Sequence, residues 1–183
     1  MTMQADLWDV ATEQYGFVTT RGARNLGVPP VELAKLANRN QLRHVTHGVY
    51  RFDQLPETDK DEYMLAVLWT GADDAVLSHE TVLSAYELCD VNPDQIHITI
   101  PKAKRIRRDG GEGYVIHHTD LVEADKGWWE GIPSVRPGTA IEQCIAYGTP
   151  TYLLADAIKN ARRRGTISEF EAAKLRRNLK QRG

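Results

Sequence analysis

Cysteine is scarce in this 183-residue chain: Cys89 and Cys144 stand alone, with no CxxC spacing. Neither a disulfide framework nor a cysteine zinc site is indicated, and both read as buried thiols. Long apolar runs are missing too. The longest, Met64 to Trp69, falls far short of the ~20 residues that span a bilayer. The N-terminal stretch, with Asp6 and Asp9, has neither the basic nor the apolar region of a signal peptide. The expectation is a soluble, cytoplasmic protein with no membrane partner. A strong charge of one sign is also lacking, since the formal net charge is -2. No G-x-S-x-G elbow occurs, and Gly110-Gly111-Glu112-Gly113 lacks the Lys-Ser/Thr of a phosphate loop and reads as a turn. What remains is 42% apolar and 26% charged, enough to bury a core and exclude wholesale disorder.

The small net charge hides segregation. Residues 1–52 hold six basic and four acidic side chains, 53–101 hold one and eleven, and 102–183 hold sixteen and ten. The balances are +2, -10 and +6, so two basic ends flank an acidic middle.

The first fifty residues read as three helices closed by a hairpin. Leu7, Val10, Ala11 and Tyr15 form one helical stripe, with Asp6 as N-cap and Gly16 after the last turn. Phe17-Val18 is an extended link. Thr19 caps a helix over 20–26 stopped by Gly27, and Pro30 opens a third that runs to about Asn40. In that helix Leu33, Leu36 and Ala37 share a face, leaving Val31, Glu32, Lys35, Asn38 and Arg39 opposite. Leu42 to Phe52 alternates around a His47-Gly48 turn. This is the plan of a winged helix-turn-helix, in which the third helix enters the major groove. Lys35, Arg39, Arg43, His44, His47 and Arg51 lie on the exposed helix face and wing. A small helical domain with an ordinary solvated basic face is the alternative.

Asp53 to Asp61 reads as an acidic linker, giving a DNA-binding domain over 1–54 and a second, α+β domain over 55–183. A helix from about Asp59 to Trp69, capped by Thr58, is apolar almost all round and so buried. Ala75 to Leu77 is extended, and Ser78 caps a helix through Leu88. Residues 96–100 and 114–117 alternate with period two and are expected to pair as antiparallel strands of a small sheet, joined by a long basic hairpin loop at 102–108. Helices follow, with a capping box at Thr139 and Glu142, an opening at Thr149-Pro150 and a cap at Ser168. The basic loop and the Arg162-Arg163-Arg164 run either add phosphate contacts or complement the acidic middle.

Catalytic constellations are poor. His44 and His47 sit on a hairpin without a partner at ligand spacing. His117 and His118 point to opposite faces of one strand, and His79-Glu80 suggests solvent contacts in a first helical turn. Trp128-Trp129 marks either a partner surface or a loop anchor. No catalytic residue, metal or cofactor is expected, and no enzyme activity.

Residues 42–51, Leu-Arg-His-Val-Thr-His-Gly-Val-Tyr-Arg, preceded by Gly27-Val28-Pro29-Pro30, resemble the wing of the AbiEi-type antitoxins. The likeness continues through 75–79, 96–101 and 131–133. It implies an N-terminal winged helix that binds double-stranded operator DNA and represses a toxin–antitoxin operon, and a C-terminal domain that counters a nucleotidyltransferase-like toxin. Direct binding, toxin modification and action without contact all stay open. A stand-alone winged-helix regulator with a sensing C-terminal domain is the alternative. Some related chains continue into a nuclease-like domain, which is not expected here. Carried onto this sequence, the resemblance assigns Lys35, Asn38 and Arg39 to groove readout or nearby phosphates, with Arg21 and Arg24 on the second helix. Arg43, His47 and Arg51 become backbone contacts of the wing. Self-association on a palindromic operator is expected.

Overall fold

The computed structural model describes residues 2–183, and the chain is α+β. It packs as two compact units: residues through Ala75 with Lys104–Glu112, and Val76–Ala103 with Gly113–Gly183. Among the described residues no helix is long and apolar enough to cross a membrane.

The first unit contains α1 (Met3–Glu13), β1 (Phe17–Thr19), α2 (Thr20–Asn25), α3 (Pro30–Asn38), β2 (Arg43–Thr46), β3 (Val49–Arg51) and α4 (Asp61–Trp69). The cap of α1 is Thr2 rather than Asp6, because the Thr2 hydroxyl accepts from the Ala5 N–H and starts the helix a turn earlier. Thr19 caps α2, accepting from the Gly22 N–H at 2.9 Å, and Pro30 opens α3 where its missing N–H costs no bond. The extended link became a strand: β1 pairs antiparallel with β3, giving a three-stranded sheet in the order β1-β3-β2. The stripes of α1 and α3 close a core with Leu7, Ala11, Val18, Leu33, Leu36, Leu42 and Phe52. Each fully buried large apolar side chain there contributes about 1.5–3 kcal/mol. The result is a helix-turn-helix-like unit carrying a β2–β3 hairpin.

Helix α4 buries Met64, Ala66, Val67 and Trp69, as its apolar circumference requires. Its end holds residues of the 104–112 segment: the Trp69 indole N–H donates to the Asp109 carbonyl, and an Arg108 N–H donates to the Trp69 carbonyl, both at 2.8 Å.

The second unit contains β4 (Val76–Leu77), α5 (His79–Ala85), β5 (Ile96–Ile100), β6 (Tyr114–His118), β7 (Lys126–Trp129), β8 (Ile132–Val135), α6 (Pro137–Tyr147), α7 (Thr151–Arg163) and α8 (Glu169–Gln181). Its sheet runs β6-β5-β4-β8-β7 and is mixed. β5 and β6 pair parallel, not antiparallel as expected, with Thr99 opposite His117. Alternation fixes which residues share a face but not strand direction. The connection 101–113 has the length that a parallel crossover needs, so it is no hairpin loop. The expected box at Thr139 does not form: Pro137 opens α6, and the Thr139 hydroxyl donates to the Asp125 carboxylate at 3.2 Å. Ser168 caps α8 as expected, accepting from the Glu171 N–H at 3.1 Å.

Candidate functional site

In the first unit the buried face of α3 consists of Leu33 and Leu36, which leaves Lys35, Asn38 and Arg39 exposed. Arg39 is the C-cap residue, one position past the helix. Arg24 near the end of α2 and His47 in the β2–β3 turn are exposed as well. Arg24, Asn38, Arg39 and His47 make no side-chain hydrogen bond or ion pair among the described residues. Cations and amides held in this way are free to bond an incoming phosphate or base edge.

The remaining nominated residues already have partners. Lys35 meets Glu32 one turn back at 2.9 Å. Arg21 pairs with Asp73 at 3.1 Å and donates to the Gly71 carbonyl. Arg43 lies 2.9 Å from Asp53 and 3.6 Å from Glu57. These pairs are largely exposed, so each is worth only about 0–1 kcal/mol, and a phosphate can displace the carboxylate.

Arg51 is a correction to the wing assignment, because its side chain is 2% exposed. The guanidinium donates to the carbonyls of Phe52, Leu55 and Pro56 and to the Asp61 carboxylate at 3.2 Å, and it stands over the Phe17 ring. It therefore ties the 53–61 segment to the sheet and cannot reach DNA. Gly16, at φ +89°, leaves the space it occupies; a Cβ there would lie 3.1 Å from the Arg51 guanidinium carbon.

The placement of the basic loop beside the hairpin turn was not visible in the sequence. Thr46 and His47 of the hairpin line a hollow with Ile106, Arg107, Arg108 and Asp109. The basic 104–108 stretch thus belongs to the unit that carries the β2–β3 hairpin, and Arg107 is exposed. By contrast, the Arg162-Arg163-Arg164 run serves its own unit. Arg162 pairs with Glu169, Arg163 bonds Asn160, and Arg164 donates to the carbonyls of Tyr86 and Glu87.

In the second unit three histidines meet that sequence spacing keeps apart. His97 and Thr99 share one face of β5, and the parallel register brings His117 of β6 onto it. His79, the first residue of α5, stacks on His117 with ring centroids 3.5 Å apart and 13° between planes. Nδ1 of His97 and Nε2 of His117 are hydrogen-bonded at 2.9 Å. Tyr147 stands nearly perpendicular to all three rings. One ring nitrogen of each histidine lies within 4.8 Å of the other two. His79 was read as making solvent contacts but is buried, at 7% exposure. Its backbone has φ 52°, a conformation that costs a non-glycine residue about 1–3 kcal/mol and is kept only where the surroundings demand it. Ser78 heads α5 but does not cap it with its side chain, because its hydroxyl bonds His79 Nδ1 at 2.8 Å and accepts from Thr99 at 2.7 Å.

Burial first, and then the neighbouring histidines, lower the pKa of His79 to about 3. Burial, then His97 and His118, lower that of His117 to about 4. His97 is lowered by burial. The cluster is therefore neutral at pH 7. Burial raises the Cys89 thiol and takes that of Cys144 to about 12, so neither is activated.

No curated protein matches the chain. A crystal structure of RV2827C protein from Mycobacterium tuberculosis matches with a TM-score of 0.50 at 18% identity, covering 98% of this chain and 76% of that one, a likeness of fold. Residues 9–52, from the second half of α1 through β3, match the family model described as transcriptional regulator, AbiEi antitoxin, the family whose wing sequence this chain resembles.

Proposed function

We propose that this protein is an antitoxin and autorepressor that binds operator DNA through a winged helix formed by residues 1–54. The exposed face of α3 enters the major groove, where Lys35, Asn38 and Arg39 read base edges or grip adjacent phosphates. Arg24 braces the backbone from α2. His47 and Arg43 make wing contacts, and Arg107 of the basic segment beside the wing turn adds phosphate neutralisation. The observation that carries this reading is a set of exposed groups without a partner among the described residues, Arg24, Asn38, Arg39 and His47, on a helix-turn-helix-like unit matched by a transcriptional-regulator family.

The second unit counters a nucleotidyltransferase-like toxin encoded beside this gene, in keeping with the family resemblance. The test is a gel shift on DNA upstream of the gene, with wild type against the Lys35→Ala/Arg39→Ala double variant. A shift that the double variant loses supports the reading, and equal affinity at physiological salt overturns the recognition-helix assignment. Co-purification with the adjacent gene product tests direct neutralisation, and a missing complex at micromolar concentration argues against contact while leaving repression intact.

A further inference from the structure

We propose that His79, His97 and His117 form a binding site for a divalent transition metal of the zinc class, with a fourth coordination position facing the cavity that Glu142 and Gln143 line. Imidazole is the shared ligand preference of zinc, copper and nickel, and among the described residues the group within ligand reach consists of the three imidazoles, without the carboxylates that calcium or magnesium needs. The three rings come from three separate elements, the start of α5, β5 and β6, so the tertiary fold alone gathers them.

The hydrogen bonds favour ligation over simple ring packing. Among the described residues, His79 Nδ1 bonds the Ser78 hydroxyl, and His97 Nδ1 and His117 Nε2 bond each other, so His79 Nε2 is left open. The Ser78 hydroxyl holds His79 Nδ1 and is itself held by Thr99, so it fixes the ring and leaves Nε2 as the ligand atom. An outer partner of this kind is the usual companion of a metal-binding histidine. Gln143 accepts from the His79 backbone N–H at 3.1 Å, which sets its amide orientation. Its Nε2 is buried and donates to no acceptor among the described residues. An oxygen on the fourth position of a bound metal would satisfy it.

Ligation asks for small movements. Metal–nitrogen bonds of about 2.0–2.1 Å in a tetrahedral site separate ligand nitrogens by roughly 3.3 Å. The 2.9 Å contact of His97 and His117 must therefore open slightly, and His79 must turn from its stack.

The experiment uses the full chain, stripped with EDTA and titrated with Zn2+ by calorimetry and with Co2+ by its visible absorption. One equivalent binds, the Co2+ bands are those of nitrogen ligation, and the melting temperature rises with Zn2+. His117→Gln weakens binding about tenfold or more, and Ser78→Ala, which keeps every ligand, weakens it by about tenfold. His44→Gln/His47→Gln, which removes the exposed pair on the hairpin, leaves binding unchanged. Circular dichroism confirms that each variant is folded. Should His117→Gln not fold, histidine-specific acylation of wild type mapped by mass spectrometry gives the same decision, since Zn2+ slows modification of the half-buried His117 and leaves that of the exposed His44 and His47 unchanged. Failure to bind in excess Zn2+, binding abolished by the His44/His47 double variant, or unchanged acylation of His117 would overturn the proposal.

Discussion

The two units use histidine and arginine in opposite ways. In the first, Arg24, Arg39 and His47 are exposed and have no partner among the described residues, while Arg51, on the hairpin, is locked inside. In the second, His79, His97 and His117 are packed ring against ring. An exposed cation retains its charge and its freedom, which suits an anionic polymer read at many points. A buried imidazole gives up its charge and gains a fixed geometry. Residue type alone does not separate these uses. Arg43 and Arg51 both sit on strands of the β2–β3 hairpin, yet one is exposed and the other sealed under the 53–61 segment.

The sharpest way to break this contrast is to remove the locked arginine. Arg51→Ala leaves the Asp61 carboxylate, 16% exposed, without its guanidinium. It should destabilise the protein by about 3–5 kcal/mol in urea unfolding, the cost of orphaning one partner of a buried pair. DNA affinity per folded molecule should not change. A variant with wild-type stability and reduced DNA affinity would put Arg51 back on the wing. The converse is expected of Lys35→Ala and Arg39→Ala, each of which lowers operator affinity by about 1–3 kcal/mol if it reads a base edge, with the melting temperature unmoved.

The histidine cluster makes a pH prediction for metal-free protein. The folded-state pKa values of His79 and His117, about 3 and about 4, lie below the ordinary value of 6.5. Below pH 6.5 the unfolded chain therefore binds more protons than the folded one. The stabilisation from the neutral rings is complete above pH 6.5 and is lost as pH falls toward 4. The melting temperature should drop between pH 7 and pH 5, and less steeply in His79→Gln. Parallel slopes would mean that the cluster is not held neutral. The smallest effect belongs to the basic segment beside the hairpin turn. Arg107→Ala should reduce the salt slope of DNA binding by about one while leaving sequence preference intact.

Much of the first unit was legible, because helix periodicity, Thr19, Pro30 and the hairpin turn are local signals that agree with one another. The fate of Arg51 was not. Whether a strand residue faces water depends on what later folds over it, and that cover is the following segment, 53–61, whose path back over the strand no local signal announces. The 104–112 stretch escaped for a related reason: basic residues between two strands look like a hairpin loop until strand direction is known. The same ambiguity hid the histidines. His97 and His117 each show the right alternation, but only parallel pairing with Thr99 opposite His117 sets them side by side. Nothing near His79 in sequence announces that its ring will lie on them.

The central claim is that the exposed face of α3 binds DNA electrostatically and specifically. It is tested most directly by fluorescence anisotropy on the upstream DNA and on a scrambled duplex across a salt series, with wild type against Lys35→Ala/Arg39→Ala. The account predicts that wild type prefers the upstream DNA and that the double variant loses both that preference and part of the salt slope, with an unchanged melting temperature. Equal preference and equal slope in the two proteins would contradict it.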